Sequence, residues 1–529
     1  MQIAFINGSI DVGEPDAPAN RVYVVDGRVA AWPETLPEAA EVVDLVGGHL
    51  RAGFADGHTH PFLAGRELLG PQLRHLTTVT GIAEAVGAWA DEHPDAEWIV
   101  GGSYDATMVD TGLFDATWLD SIDRPVVLRA WDYHTVWCNS RALEMAGITS
   151  ETPDPPLGRI VHRADGTPMG TLVESAALLV LDRVPEVSLD RQVEILGRAT
   201  RTLASYGITW TQEAWAEDHE LDAWIAAAQR GALHLDVDIA VRADPLRWVA
   251  QLDEIVAVRE RVADAPGISC DTVKFFIDGI IENHTAAMLD DYTDVCSRGL
   301  PNWSADQLGD ALLDVHRIDR DIHMHAIGDA GVRAALDAVT RLRAEDPERR
   351  RRVTVAHAQV IHPDDLERFA DLGVAVCFQP LWARPDDVMV SLTFPRVGPD
   401  RERQYQIGSV MRTGASVTFG SDWPVSSPNV LEGISVAVTR QNPDGTPQGG
   451  WYPEERITVD AALATASAAV HVQSRRGADR GELRVGNLAD LVWLDRDPRA
   501  VHARDLAETR VLGTWCRGRE TYRRAETSG

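Results

Sequence analysis

From residue 53 onward, eight short apolar runs recur along the chain, most of them separated by amphipathic stretches. They lie at 53–60, 208–213, 235–241, 272–278, 321–327, 352–357, 374–378 and 416–422. Apolar runs this short, bounded by turn residues, read as buried strands. The stretches at 189–206, 305–320, 331–343 and 364–372 have a helical pattern, with Gly207 as a stop signal and Pro363 as a start signal. Strands alternating with helices predict a parallel sheet. Eight such units close into an α/β fold, a TIM-like (β/α)8 barrel.

One interval breaks the rhythm. About 147 residues separate His60 from Ile208, far more than one strand–helix unit needs. Residues 63–185 therefore read as a cap subdomain inserted after the first strand, with elements of its own at 81–92, 98–104, 125–131 and 140–146. The two ends of the chain resemble each other in style. Alternating runs at 2–10, 21–25 and 28–31, with a hairpin signal at Asp26-Gly27, have counterparts at 488–494 and 508–515. They predict a small β-sandwich built from 1–52 plus 481–529, which leaves 53–62 plus 186–480 as the barrel.

Barrel enzymes build their sites at the C-terminal ends of the strands. The first strand ends in Asp56-Gly57-His58-Thr59-His60. Alternate side chains of a strand share a face, so His58 and His60 stand side by side as half of a divalent-metal site. Later strand ends carry Lys274, His325, His357 and Asp422. One polar residue ending an apolar strand has an ordinary structural explanation. Six on one barrel point to a metal centre.

The motifs 54–61 (FADGHTHP), 134–143 (HTVWCNSRAL), 273–279 (VKFFIDG), 325–329 (HAIGD), 357–359 (HAQ), 420–424 (GSDWP) and 485–492 (VGNLADLV) span nearly the whole chain. In this combination the chain resembles the amidohydrolase superfamily, and more closely its amidohydrolase-3 branch, which includes N-substituted formamide deformylases. The resemblance implies two zinc ions. His58 and His60 would hold the more buried ion, and His325 and His357 the second. Lys274 would bridge them as a carbamate formed with carbon dioxide. Asp422 would bind the first ion and act as the catalytic proton carrier. The implied reaction is attack of hydroxide on a C–N, amide-type bond of a small, largely apolar substrate such as an N-substituted formamide. The family's habits also imply a homodimer.

Around this centre, His134 and Trp131 lie in the cap segment; His134 either reaches the substrate carbonyl or packs. Trp382 and Trp423 follow strand ends and either wall a pocket or join the core. His284, in Glu282-Asn283-His284, is either a substrate contact or a surface residue, and this run departs from the small residues usual there. Glu213 ends the second strand and is placed to orient a ligand histidine. His323 faces the same side as His325 but deeper, which suits a structural role. Two alternatives stay open: a mononuclear, deaminase-type site on the same ligands, and a non-enzymatic barrel serving as a scaffold or binding protein. No Gly-x-Ser-x-Gly elbow and no phosphate-binding loop occurs.

A net charge of −31 disfavours binding to nucleic acid or anionic lipid. No run of eighteen apolar residues exists, so no membrane span is expected. Residues 1–11 alternate like a strand and do not read as a signal peptide. The five cysteines, Cys138, Cys270, Cys296, Cys377 and Cys516, are odd in number and scattered, as reduced thiols of a cytoplasmic protein would be.

Overall fold

The computed structural model describes residues 1–12, 20–398 and 404–525. At its centre eight parallel strands pair in chain order. They are β1 (Phe54–Thr59), β2 (Ile208–Ala216), β3 (Asp236–Arg242), β4 (Ile268–Phe276), β5 (Asp321–Ala326), β6 (Val353–His357), β7 (Ala375–Phe378) and β8 (Val417–Phe419). All eight apolar runs become strands of this near-closed barrel. The last is shorter than its sequence pattern, because Gly420 and Ser421 leave the ladder before Asp422.

Helices cover the outside. Leu189–Ser205 starts at Ser188, whose side chain accepts from the Arg191 amide. Ala305–Arg317 starts at a capping box of Ser304 and Gln307. The strand period then sorts each strand into two faces. On β5, Ile322, Met324 and Ala326 join the apolar layer under the helices, while His323 turns inward to His58. On β4, Val273 and Phe275 join the same layer, and Lys274 between them faces the interior.

The two ends of the ladder, β8 and β1, are joined at the C-terminal rim. The Asp422 amide donates to the His58 carbonyl at 2.7 Å, and the His60 amide to the Trp423 carbonyl at 2.7 Å. The Ser421 amide donates to Asp56 Oδ1 at 2.9 Å. Deeper in the seam, Gln473 accepts from the Thr418 hydroxyl at 2.7 Å and donates to the Gly57 carbonyl at 3.1 Å. Chain packing here leaves no room for a side chain at Gly420: a Cβ would lie 2.7 Å from the His58 backbone nitrogen. Gly420→Ala is therefore expected to destabilise the fold by about 1–3 kcal/mol, read as a lower denaturant midpoint; an unchanged midpoint would show that the seam yields freely.

The termini form two further sheets. One pairs Arg28–Ala30, Arg21–Val25, Gln2–Ile6 and Glu41–Asp44; the other pairs Ser9–Ile10, His49–Ala52, Leu491–Leu494, Val511–Cys516 and Arg519–Arg523. Phe5, Val24, Leu50, Leu491 and Trp515 from both sheets share one apolar cluster. The segment between β1 and β2 carries a five-stranded sheet running from Ile99–Tyr104 to Gly158–His162. Among the described residues no helix is long and apolar enough to cross a membrane. Four cysteines are buried, Cys296 is exposed, and all five are free.

Candidate active site

The strand ends converge. Ring centroids of His58 and His60 lie 5.2 Å apart, those of His58 and His357 4.8 Å, and those of His325 and His357 4.6 Å. Asp422 Oδ1 approaches His58 Nε2 at 3.6 Å and His60 Nε2 at 3.0 Å. His58, His357 and Asp422 present ligand atoms within 4.8 Å of one another. Lys274 is fully buried beside them, its Nζ 4.8 Å from the centroid of the Phe276 ring.

Two donors reach the centre by unusual backbone. Val353 and Val355 of β6 face the helices, and strict alternation would send His357 the same way. A positive φ of 73° at His357, followed by 43° at Ala358, swings the ring inward. Asp422 also has a positive φ, 55°. Such conformations cost on the order of 1–3 kcal/mol each and persist where the surroundings enforce them. Here the Ala358 amide is held by the Ala326 carbonyl at 2.9 Å, and the Asp422 amide by His58.

Each histidine is gripped at one ring nitrogen, which leaves the other for the centre. His58 Nδ1 meets His323 Nε2 at 2.8 Å, and His60 Nδ1 meets Glu213 Oε1 at 3.3 Å. His325 Nε2 meets the Gly279 carbonyl at 3.1 Å, and His357 Nδ1 meets Gln379 Oε1 at 2.7 Å. Partners of this kind fix the tautomer and ring orientation of metal-ligating histidines. Glu213 stands where its strand position suggested, held in turn by the amides of Phe62 and Trp215, both at 3.3 Å.

Electrostatics agree. Burial pushes His58 and His325 well down and His357 down to about 3, so all three rings are neutral, the form that binds cations. Burial also lowers the Lys274 ammonium to about 7, which makes its free amine accessible. Burial opposes charge on His60, yet Asp422 and Glu213 on either side raise it; a cation would replace that proton. Lys274 Nζ is buried without a hydrogen-bond partner among the described residues, and Asp422 Oδ1 meets only the rings of His60, at 3.0 Å, and His58, at 3.6 Å. Buried polar atoms without partners are costly. Neutral imidazoles, a carboxylate and an amine converging on one buried point fit a divalent cation.

A model of the amidohydrolase family matches residues 41–522. The chain belongs to the amidohydrolase family. It is 28% identical to the putative amidohydrolase YtcJ of Bacillus subtilis (strain 168), over 95% of this chain and 96% of that one. It is 24% identical to the N-substituted formamide deformylase of Arthrobacter pascens, over 99% and 98%. Its fold is similar to that of an uncharacterised metal-dependent hydrolase from Pyrococcus horikoshii OT3, with a TM-score of 0.74 and 21% identity over 95% of this chain and 99% of that one. Membership implies a divalent metal, which the donor set accommodates.

Above the donors of this amidohydrolase opens a cavity of about 560 Å³. His325, His357 and Asp422 reach it from the barrel, and His134, Trp131, Trp382 and Trp423 line it. Trp382 stacks on His357, centroids 5.6 Å apart and planes within 5°. Trp131 Nε1 donates to the Ser103 carbonyl at 3.1 Å. The His134 ring centre lies 5.3 Å from that of His325, and its Nδ1 is 2.9 Å from Glu174 Oε2. Burial disfavours charge on His134, but Glu174, with Asp132 and Asp422, raises it to about 9.

His284 is the exception. It does not line the cavity: a left-handed backbone, φ 57°, turns it to Asp294, whose Oδ2 lies 2.9 Å from its Nε2. Its neighbour Glu282 faces the cavity instead. Glu282, Arg384, Asp386 and Tyr405 on the wall, and Glu174 and Gln379 behind the histidines, escaped the sequence reading. All lie in loops or at an element's edge, outside any periodic pattern. The unusual Glu282-Asn283-His284 run was the one available signal.

Proposed function

We propose that this amidohydrolase hydrolyses the C–N bond of a small amide with a largely apolar body, N-substituted formamides being the first class to test. The observation that carries the reading is the convergence of six strand-end donors beneath a cavity walled by Trp131, Trp382 and Trp423. The choice of formamides follows the Arthrobacter pascens relative. His58, His60, Lys274, His325, His357 and Asp422 would hold the metal, Lys274 as its carbamate when two zinc ions are present. A divalent cation there supplies Lewis acidity toward a carbonyl oxygen and makes water acidic enough to attack near neutral pH.

The chain's own residues do the rest. Asp422 takes the proton of the attacking water and delivers it to the leaving nitrogen. His134, fixed at Nδ1 by Glu174, turns Nε2 toward the cavity, where it donates to the carbonyl oxygen as that atom gains charge. Trp131, Trp382 and Trp423 hold the apolar body and exclude water. Glu213 and His323 keep His60 and His58 in their ligating tautomers.

A second reading has one specific support: only His58, His357 and Asp422 form a tight ligand trio among the described residues. That favours a single-ion, deaminase-type site. Dialysis against a chelator should abolish formamide hydrolysis, and zinc should restore it, with metal content near two ions per chain. One ion per chain with full activity would select the second reading. Turnover that survives complete metal removal would refute both.

A further inference from the structure

The cavity wall carries more charge than hydrolysis of a plain amide requires. Asp132, Glu282 and Asp386 all line it, together with His134 and Arg384, and among the described residues none of the three is in a salt bridge with Lys or Arg. Each carboxylate is tethered at one oxygen: Asp132 to the His134 amide at 2.7 Å, Asp386 to the Met389 amide at 2.9 Å, and Glu282 to the Thr393 hydroxyl. The tethers aim the groups and leave the second oxygens without a protein donor.

An independent feature sits with them. Tyr405 is only 2% exposed and lines the same cavity, yet among the described residues its hydroxyl has no hydrogen-bond partner. The ring is packed away, and the hydroxyl opens into the cavity, where it is placed to meet a bound molecule. Its ring centre lies 6.4 Å from that of Trp382, which itself stacks on the ligand His357. Burial, reinforced by Glu282 and Asp386, keeps the phenol firmly protonated. Burial raises Asp132 to about 6, against the pull of His134, and raises Asp386 as well, against that of Arg384.

We propose that the substrate carries a cationic nitrogen at the end remote from its scissile bond, received by Glu282, Asp386 and the Tyr405 hydroxyl beside the Trp382 ring. An ammonium offers several N–H donors to oxygens that lack them, and an aromatic face attracts it further. The phenol oxygen accepts one N–H while its own hydrogen turns to a carboxylate. Arg74 does not compete, since Glu67 holds it at 3.1 Å. Arg384 is the opposing candidate: it lines the cavity, and its Nε is buried without a partner. His134 sets its charge against Asp132, and one guanidinium remains for both Glu282 and Asp386, which leaves that part of the wall negative and favours a cation. The inference relies on the hydrolase reading only for where the scissile bond lies.

The test compares three probes of equal length: the monoformamide of an unbranched diamine, the formamide of the matching alkylamine, and the formamide of the matching ω-amino acid. Binding to the metal-loaded protein is measured by calorimetry, and hydrolysis separately. The ammonium probe is expected to bind about 10- to 100-fold more tightly than the alkyl probe. Glu282→Gln and Asp386→Asn should each shrink that ratio, which is taken within each variant so that altered folding or metal content cancels. A preference for the carboxylate probe would overturn the proposal in favour of Arg384. Equal binding of all three, or binding of none, would also overturn it. An ammonium preference without hydrolysis would support it while refuting the formamide reading; hydrolysis without the preference would do the reverse.

Discussion

Asp422→Asn is expected to lower kcat/KM for hydrolysis by about 10²–10⁴-fold, the span that a positioned acid–base group contributes, and to leave the fold in place. The substitution separates chemistry from architecture unusually well. The barrel seam uses the backbone amide of residue 422, not its side chain. Asparagine tolerates a φ of 55° about as well as aspartate, so the backbone at this position carries over. What changes is the charge and basicity of one buried carboxylate. The four histidines are each engaged at an outer nitrogen, and Lys274 is sealed from the cavity, which leaves Asp422 as the donor free to carry a proton. Steady-state kinetics, thermal unfolding and metal content on one preparation check this. Loss of activity by less than about tenfold with metal retained would remove Asp422 from the proton path.

Lys274→Met is expected to bring activity down to that of the metal-stripped protein, yet to make the metal-free fold more stable. The two effects have one origin. Lys274 is wholly buried and its Nζ has no hydrogen-bond partner among the described residues. Methionine fills similar space without a polar atom, so relief of about 1–3 kcal/mol is expected in the metal-free state, read as a higher denaturant midpoint. With burial holding the amine near 7, a useful fraction is neutral at neutral pH and open to carbon dioxide. Lys274→Ala should then regain activity with a short-chain carboxylic acid, which supplies an equivalent anionic oxygen pair. Absence of rescue, together with one metal ion per chain, would mean that the lysine works as an unmodified amine.

The barrel and its donors were legible because both follow from local periodicity. Ile322, Met324 and Ala326 alternate with His323 and His325, and that alternation alone separates a helix-facing layer from an interior. His58 and His60 could be placed on one face by the same rule. His357 shows the limit of the rule: alternation assigns it to the outer layer, and only the positive φ at the strand end returns it to the centre. The substrate wall was harder to read. Glu282, Asp386 and Tyr405 come from separate loops, and beyond the unusual run at 282–284 nothing in their neighbours signals that they face one cavity. For His284 the residue type suggested a contact, but one left-handed backbone step presented Glu282 instead.

The residues that would grip the cation are also those that join the first and last strands: the amides of Asp422 and His60 and the carbonyls of His58 and Trp423 cross the seam within a residue of the donors themselves. Occupancy of the centre would therefore be coupled to completion of the cylinder. A cation held by these residues would clasp chain segments some 360 positions apart. Amide hydrogens at this clasp should exchange more slowly once it is fastened, which makes their protection a direct gauge of whether the cylinder has locked.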